Sequence, residues 1–342
     1  MEKVQQTSIE FIKNELIPEM VHNRCFCDPG SREFVEFNSV DVEFCKNLTN
    51  NKNREIYRAK VQIKFSDEPK IFYIIVKLLP LNSENDDLAY NCFLNEEMFY
   101  NKMTAQYQLD VYPKCYAADM GRYERPVIVL EDLEAAGFIQ SIVKLDEDHL
   151  QMYLKAISRF HGRGYKLKYS KLDIFREFYV KLSEIMIKND YHIQSINKVL
   201  DHLRDKKSQQ ESGEKIVKEV KKIIGHFPKN LDNENDESYT ICHGNVDQNH
   251  LFFRYENNKP VEIKILGWNQ LKYSLPGIDL QFINLLDFDK LVNGALSTSI
   301  IKKFDSYFSV LTVECPNLSK DILLTDFVLS VINCYIFPSI SS

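Results

Sequence analysis

The 342-residue chain lacks several features that would each define a class of protein. It has no surplus of positive charge, because 43 Lys and Arg residues face 49 Asp and Glu residues for a formal net charge of −6. This balance excludes a protein that binds nucleic acid mainly through phosphate contacts. The longest apolar run, residues 327–337, is interrupted by Ser330 and Asn333 and is too short to span a bilayer. We therefore expect neither nucleic-acid binding nor a membrane span.

The eight cysteines form no framework. Cys25 and Cys27 are too close together for a C-x-x-C redox or zinc motif, and no second pair completes a metal site. The first 20 residues interleave charged and apolar side chains, so we expect no secretory signal. Scattered thiols without a signal favour reduced cysteines and a cytoplasmic protein.

Glycine is absent between Gly30 and Gly121. A glycine-rich loop lets backbone N–H groups approach phosphate oxygens without a Cβ atom in the way. Residues 47–54, the polar connection between two apolar segments in this stretch, carry Lys52 and Arg54 instead. We therefore expect phosphate to be attracted here by side chains at most, and not cradled by backbone.

The spacing of apolar residues predicts strands first and helices afterwards. It predicts a helix at 7–22 that Pro18 weakens or ends, strands at 34–45, 56–65 and 71–79, a helix at 93–103 and a strand at 127–130. Further helices are predicted at 145–162, 173–187, 193–203, 216–227, 300–311 and 322–337. This order indicates an α/β (α+β) protein in which an antiparallel sheet with one main helix precedes a mainly helical half.

Residues 239–280 carry the clearest motif. They combine a strand, a tight His-Gly turn, a hairpin and an alternating strand at 261–266, and they read His243-Gly244-Asn245, Asn249-His250-Leu251, Leu266-Gly267-Trp268 and Asp279-Leu280. The stretch resembles the ecdysteroid kinase-like (CHK kinase-like) family, relatives of choline and aminoglycoside kinases, whose pattern is approximately H-G-D-x-W-x-N-N-[ILM]-x-F, I-D-[FW]-Q and D-L. The resemblance implies a bilobal protein kinase-like fold with an N-lobe at 1–132 and a helical C-lobe at 133–342.

The resemblance also implies roles for N-lobe residues. Lys77 matches the strand lysine that contacts ATP phosphates, and Glu96, four residues before Tyr100, matches the helix glutamate that holds it. The alternative is an edge-strand lysine and a solvated helix charge. The segment after the strand at 127–130 matches the hinge, whose backbone pairs with adenine near Glu131 and Leu133. Because main-chain atoms make these contacts, the hinge is the part of the site most able to survive side-chain change.

Three positions depart from the family chemistry. Asn245 stands for the Asp base, and an amide cannot take up a proton at neutral pH. His250 stands for the metal-binding Asn and Gly267 for the metal-binding Asp. A nitrogen ligand suits Mg²⁺ poorly, and glycine has no side chain. Since phosphoryl transfer depends on positioned Mg²⁺, we expect impaired catalysis, weakened ATP binding and no protein-held Mg²⁺.

Neighbouring residues leave alternatives open. Asp247 could act as a displaced base, although it occupies the family's Trp position, and Asn249 could replace His250 as a metal ligand. A transition-metal site at His243 and His250 is a further alternative, but no Cys or carboxylate accompanies them at a recognised spacing.

Two other matched residues are expected to serve structure. In related folds the Asp of the D-L pair anchors the backbone of the catalytic loop, so Asp279 together with the retained His243 predicts that the loop keeps its shape. His161 matches a histidine at a helix end, and we expect it to be packed or capping, with the helix ending at His161-Gly162.

The leading hypothesis is a pseudokinase of this family that binds a small-molecule ligand or a protein partner. The alternative is an active ATP-dependent phosphotransferase that phosphorylates a small-molecule hydroxyl, such as an ecdysteroid or a choline-like alcohol, through a rearranged site. The helices of the C-lobe carry no pattern that specifies the ligand.

Overall fold

The computed structural model describes residues 2–45, 54–66, 68–80, 87–121, 123, 125–141, 145–185, 238–280, 298–324 and 326–327. The chain divides into two compact units. Unit 1 comprises Met1–Gln140, Phe252–Arg254 and Lys264–Asn269, and unit 2 comprises Ser141–Leu251, Tyr255–Ile263 and Gln270–Ser342. The lobe boundary at residue 132 stays a prediction.

Unit 1 begins with a helix that changes type before its proline. Helix α1 (Glu2–Phe11) leads into a π-helical turn (Ile12–Leu16) and then into α2 (Ile17–His22). Pro18 lies in the first turn of α2, where its missing N–H is least costly. The helix therefore continues past Pro18, and the proline marks the change of helix type.

A five-stranded antiparallel sheet forms the centre of unit 1. Its strands are β1 (Val35–Phe44), β2 (Glu55–Phe65), β3 (Pro69–Leu78), β4 (Cys115–Asp119) and β5 (Val127–Glu131), in the order β1-β2-β3-β5-β4. The strands predicted at 34–45, 56–65, 71–79 and 127–130 are confirmed.

The two faces of this sheet differ in character. On one face Tyr57, Val76 and Val129 belong to the hydrophobic core that packs against α1 and α2. Side chains alternate along each strand, so the opposite face carries their neighbours Arg58 and Lys77. That second face therefore presents two cations.

Beyond the sheet, unit 1 contains α3 (Asp87–Met98), a π-helical turn (Phe99–Met103) and α4 (Thr104–Tyr107). A two-residue strand, β6 (Ile139–Gln140), pairs with Phe252 and Phe253. The helix predicted at 93–103 is confirmed, with its second half in the π-helical turn.

Unit 2 contains three further described helices and most of the motif region. Its helices are α5 (Glu147–Ser170), α6 (Leu172–Ile185) and α7 (Thr298–Glu314). The motif region contains β7 (Thr240–Cys242), β8 (Leu251–Glu256), β9 (Lys259–Ile265) and β10 (Lys272–Ser274), with 3-10 turns at Gln248–His250, Trp268–Gln270 and Pro276–Leu280. Strands β7 and β10 pair, and β6, β8 and β9 form a second small sheet. In the part of the chain with a described structure, no helix has the length and apolar character to cross a membrane.

The predicted end of α5 at His161-Gly162 was wrong. Asp146 caps the helix by accepting a hydrogen bond from the His149 N–H, and the helix then continues to Ser170. A Cβ atom at Gly162 would lie 2.8 Å from the Cβ of Glu314 in α7. The glycine therefore permits close packing of α5 against α7 and does not end the helix. The helices predicted at 193–203 and 216–227, and most of that at 322–337, lie outside the described residues.

Candidate functional site

Lys77 and Glu96 form a buried ion pair. The Lys77 Nζ lies 2.5 Å from the Glu96 Oε1, and both side chains are largely shielded from solvent. Strand β3 supplies the lysine and α3 the glutamate, as predicted. The alternative of two separate solvated charges is wrong, because each charge here has lost most of its water and is compensated by the other.

The segment around Gly267 is held by the same helix that carries Glu96. Trp268 is fully buried and stacks on Phe99, with ring centroids 4.3 Å apart and planes inclined by 6°. The side chain of Asn95 in α3 donates to the Asn269 carbonyl oxygen at 3.1 Å. Gly267 itself has φ +85°, a conformation that glycine adopts freely and that Asn and Asp tolerate better than other residues. The strand end is thus fixed, and Gly267, which the resemblance places at the position of a metal-binding Asp, has no side chain.

The segment after β5 retains one open backbone donor. The Glu131 N–H donates to the Lys114 carbonyl oxygen, and the Leu133 carbonyl oxygen accepts from the Phe138 N–H at 2.8 Å. Among the described residues the Leu133 N–H makes no hydrogen bond. Leu133 is the first residue of a turn that Asp132 caps by accepting from the Glu134 and Ala135 N–H groups, so its own N–H is left over by the cap.

Arg58 makes two contacts that the sequence did not suggest. Its Nε lies 2.6 Å from the Asp132 Oδ2, and its Nη2 lies 2.6 Å from the Glu134 Oε2. Asp132 and Glu134 belong to the segment directly after β5, so a strand residue is tied to the predicted hinge. The charges of the two carboxylates and the hydrogen bond to Glu134 raise the pKa of Arg58 even though burial alone would lower it. The guanidinium therefore stays charged.

In unit 2, Asp279 anchors the His-Gly turn. Its Oδ2 accepts from the His243 N–H at 2.6 Å, and its Oδ1 accepts from the Gly244 N–H at 2.7 Å. Gly244 has φ +85°, and a Cβ atom there would lie 2.1 Å from the Gln270 carbonyl oxygen. The prediction that Asp279 holds the backbone of this loop is confirmed, and Gly244 is required both by its conformation and by the space around it.

His161 completes a buried polar network behind this turn. Its Nε2 lies 2.9 Å from the Asp279 Oδ2, and its Nδ1 lies 2.7 Å from the Tyr307 hydroxyl. Because a carboxylate only accepts, the Nε2 donates to Asp279, while the Nδ1 is bonded to the tyrosine hydroxyl. Burial alone would raise the pKa of Asp279, but the hydrogen bond and charge of His161, together with His243 and the Gly244 N–H, lower it. His161 is packed, as predicted, and does not cap a helix end.

Asp247 and His250 form a reciprocal capping box around the 3-10 turn. The Asp247 Oδ1 accepts from the backbone N–H groups of Asn249 at 2.8 Å and His250 at 3.2 Å, and the His250 Nδ1 accepts from the Asp247 N–H at 3.3 Å. Both side chains therefore hold the backbone of their own turn. Asn245 is exposed, and its N–H lies 3.4 Å from the His243 Nδ1.

The described residues contain one group with the composition of a metal site. Ligand atoms of His161, Cys242 and Asp279 lie within 4.8 Å of one another. The Cys242 thiol lies within hydrogen-bonding distance of the carbonyl oxygens of Thr240 and Ser274, and burial raises its pKa well above the ordinary value. His161 and Asp279 are bonded to each other and Cys242 to backbone carbonyls, so the contacts of this group are those of an internal hydrogen-bond network.

The sequence profile of the ecdysteroid kinase-like family matches residues 53–311. The chain belongs to the ecdysteroid kinase-like family. Two similar solved structures are aminoglycoside phosphotransferases. One, aminoglycoside 2'-phosphotransferase-IIIa with GDP, is 9% identical, with TM-score 0.42 over 95% of this chain and 93% of that one. The other, a complex with GDP and kanamycin, is 11% identical and has a TM-score of 0.42. The match covers 85% of this chain and 82% of that one. A comparison with curated proteins gave no match.

Membership of the ecdysteroid kinase-like family and the α+β architecture establish a kinase-like fold for this chain. The ion pair of Lys77 and Glu96 lies in unit 1, as do Gly267 and the hinge segment, whereas Asn245 and His250 lie in unit 2. The two residues that the resemblance places at metal positions have no oxygen side-chain ligand for Mg²⁺. His250 offers nitrogen and uses Nδ1 for its capping box, and Gly267 offers no ligand atom.

Proposed function

We propose that this member of the ecdysteroid kinase-like family is catalytically impaired and acts by binding a small-molecule ligand or a protein partner. The observation that carries this proposal is the capping box of Asp247 and His250. A residue at a metal-ligand position serves the local fold through its Nδ1, and the nearest carboxylate caps the same turn. The site has kept a loop and lost an oxygen ligand.

The other two altered positions support the same conclusion. Asn245 stands where the family has its base, and an amide holds or orients a hydroxyl group without accepting its proton. Gly267 removes the second metal ligand altogether. Loss of a base alone slows an enzyme by about 10²–10⁴-fold, but loss of both metal ligands removes the main source of charge neutralisation in phosphoryl transfer.

The scaffold for a nucleotide is better preserved than the chemistry. The Lys77–Glu96 pair keeps a cation on the sheet face, and the Leu133 N–H offers a donor to a purine. ATP, where it binds, is held by these groups, and its phosphates receive no glycine loop. We therefore propose weakened ATP binding that does not depend on Mg²⁺.

The Lys77–Glu96 pair also favours a second candidate. An active ATP-dependent phosphotransferase needs this pair to orient the phosphates, and the pair is intact at 2.5 Å. Such an enzyme would phosphorylate a small-molecule hydroxyl, for example of an ecdysteroid or a choline-like alcohol. It would need a base and metal ligands from positions other than Asn245, His250 and Gly267.

The test restores the three family residues together: Asn245→Asp, His250→Asn and Gly267→Asp. The measurements are Mg²⁺-dependent ATP hydrolysis and thermal stabilisation by ATP with and without Mg²⁺. We expect the parent chain to show neither turnover nor a Mg²⁺-dependent shift, and the triple variant to gain both. Aspartate is a suitable replacement at the left-handed Gly267, since Asp enters this region more readily than most residues.

The matched control adds Lys77→Met to the triple variant, which must abolish any activity that was gained. Mg²⁺-dependent phosphorylation of an alcohol by the parent chain would overturn the proposal and favour the active enzyme. A folded triple variant that binds no nucleotide would instead place the hinge assignment at Glu131 and Leu133 in doubt.

A further inference from the structure

Arg58 lies on the same sheet face as Lys77. The register pairs Arg58 with Ile75 and Ile56 with Lys77, and directly paired residues on neighbouring strands project to the same side. The next strand continues the row, because Ile75 pairs with Leu130 of β5. The face that presents the nucleotide-type lysine therefore also presents a second, longer cation close to it.

The Arg58 side chain must cross a whole strand to reach its partners. The order β2-β3-β5 separates β2 from β5 by two strand spacings, about 10 Å, and Asp132 directly follows β5. Both carboxylates nevertheless lie 2.6 Å from the guanidinium. The guanidinium consequently lies over β3 near Ile75, beside the backbone of residues 131–133.

The two carboxylates hold the guanidinium differently. Asp132 is 4% exposed, and its Oδ1 also accepts from the Glu134 N–H, so its position is fixed by its own turn. The Glu134 side chain is 51% exposed and free to move with little loss. The result is one buried attachment and one that solvent and salt can weaken.

The backbone beside the guanidinium offers a ligand one hydrogen-bond donor and an adjoining apolar cluster. The Leu133 N–H has no acceptor among the described residues, and the Leu133 side chain packs with Phe138 and Phe252 in a small apolar cluster. On the Lys77 face, a flat base beside this segment lies over the neighbouring strand β3. That is the space beside Ile75 that the guanidinium occupies.

We propose that Arg58 closes the purine site of this protein: its guanidinium occupies the place of the base, and an adenine nucleoside binds only after Arg58 leaves Asp132 and Glu134. The inference rests on the proposed function in taking the Lys77 face as the nucleotide face and the Leu133 N–H as the donor to the purine. It adds an autoinhibitory contact within unit 1 that is separate from the loss of catalytic residues.

The size of the effect follows from the populations of the two states. The apparent affinity for a ligand is the intrinsic affinity multiplied by the fraction of molecules in the open state. The closed state is the one in which Arg58 is bound to Asp132 and Glu134. If it predominates by ten to one or more, removing the Arg58 side chain strengthens ligand binding by about tenfold or more. Removing the exposed Glu134 contact should also raise the ligand affinity, but by a smaller factor.

The experiment measures adenosine binding by calorimetry without Mg²⁺. Adenosine is uncharged, so added salt weakens the ion pairs without screening the ligand. The variants are Arg58→Ala and Glu134→Ala, and the control is Lys60→Ala, an exposed cation two residues along the same strand. We expect affinity to rise about tenfold or more for Arg58→Ala, less for Glu134→Ala, and not at all for the control. Affinity of the parent chain should rise with salt.

Equal affinity of the parent chain and Arg58→Ala, including no binding by either, overturns the proposal. So does weaker binding by the variant, because Arg58 would then be a ligand contact. If Arg58→Ala does not fold with Asp132 left unpaired, Glu134→Ala and the salt titration decide, and no change in either overturns the inference. Phosphate transfer by the parent chain overturns the proposed function instead, and it is measured separately from adenosine affinity.

Discussion

The carboxylate of Asp279 accepts hydrogen bonds from the backbone N–H groups of Gly244 at 2.7 Å and His243 at 2.6 Å. A residue of one 3-10 turn thereby fixes the turn that carries Asn245, and the same carboxylate is bonded by the buried His161. The shape of the loop consequently depends on a negative charge that lies behind it, and not on the exposed residues that line it.

Replacement of Asp279 should therefore destabilise this loop and with it the folded chain. We expect Asp279→Asn to lower the free energy of unfolding by about 2–4 kcal/mol, because an amide cannot accept all three N–H groups that the carboxylate now accepts. Urea denaturation followed by circular dichroism measures this loss. Asp305→Asn, which removes an exposed partner of Lys320, is the control and should cost under about 1 kcal/mol. Equal effects would contradict the role of Asp279.

Two glycines with nearly the same φ angle distinguish two costs of adding a side chain: backbone strain and a steric clash with neighbouring atoms. Gly244 has φ +85° and Gly137 has φ +86°, but a Cβ atom at Gly137 would have no heavy atom within 4 Å. We expect Gly137→Ala to cost about 1–2 kcal/mol, the penalty for placing an L residue in this region. Gly244→Ala should cost clearly more, since its Cβ would lie 2.1 Å from the Gln270 carbonyl oxygen. Urea midpoints of the two variants test this, and similar values would show that the turn moves to make room.

Removing one partner of the Lys77–Glu96 pair should lower the free energy of unfolding strongly, whereas replacing both partners by apolar residues should lower it little. We expect Glu96→Leu to lower stability by about 3 kcal/mol or more because it leaves Lys77 buried and unpaired, and Lys77→Met added to it should recover most of the loss. The control is the exposed pair of Lys64 and Glu36, where Glu36→Leu should change stability by under about 1 kcal/mol. Thermal unfolding of the parent chain and the three variants measures these differences. A double variant no more stable than Glu96→Leu would argue against this account.

Asp326 should make stability depend on pH. Burial raises its pKa from 3.8 to about 7, and the charge of Asp279 adds to this although the Gly277 N–H opposes it. The folded chain thus holds a proton that the unfolded chain releases, so stability is greatest below the unfolded value and falls as pH rises toward 7. Of the other groups that face it, the hydroxyls of Tyr165 and Tyr307 and the Cys242 thiol have pKa values raised by burial and stay neutral.

Asp326→Asn should remove this dependence. Relative to the parent chain, we expect the variant to gain stability across that window by up to about 1.4 kcal/mol per pH unit. Urea midpoints below, within and above the window measure the difference, with Asp305→Asn correcting for the loss of a surface charge. A difference that does not change with pH would count against a protonated Asp326.

The sequence was sufficient where a family motif names both partners of a contact. The D-L pair predicted the anchoring role of Asp279, and the matched strand and helix predicted the ion pair of Lys77 and Glu96. Strands β1, β2, β3 and β5 followed from alternation alone. These are local patterns, or pairs whose geometry the fold determines.

The remaining features depend on packing that spacing does not encode. The contact of Arg58 with Asp132 needs the register of three strands, which the sequence does not give. Gly162 has the sequence pattern of a helix end, whereas in the structure it leaves the space that Glu314 of a distant helix fills. The capping box could be predicted from the sequence, because Asp247 and His250 have the three-residue spacing of such boxes.

The capping box of Asp247 and His250 also bears on how the chain can change over generations. Because the His250 Nδ1 accepts from the Asp247 N–H, a residue at position 250 without a suitably placed acceptor leaves that N–H without this bond. Any substitution at position 250 therefore has to be tolerated by the turn before it can alter the chemistry of the loop. The identity of residue 250 is in this way coupled to the backbone on which it stands.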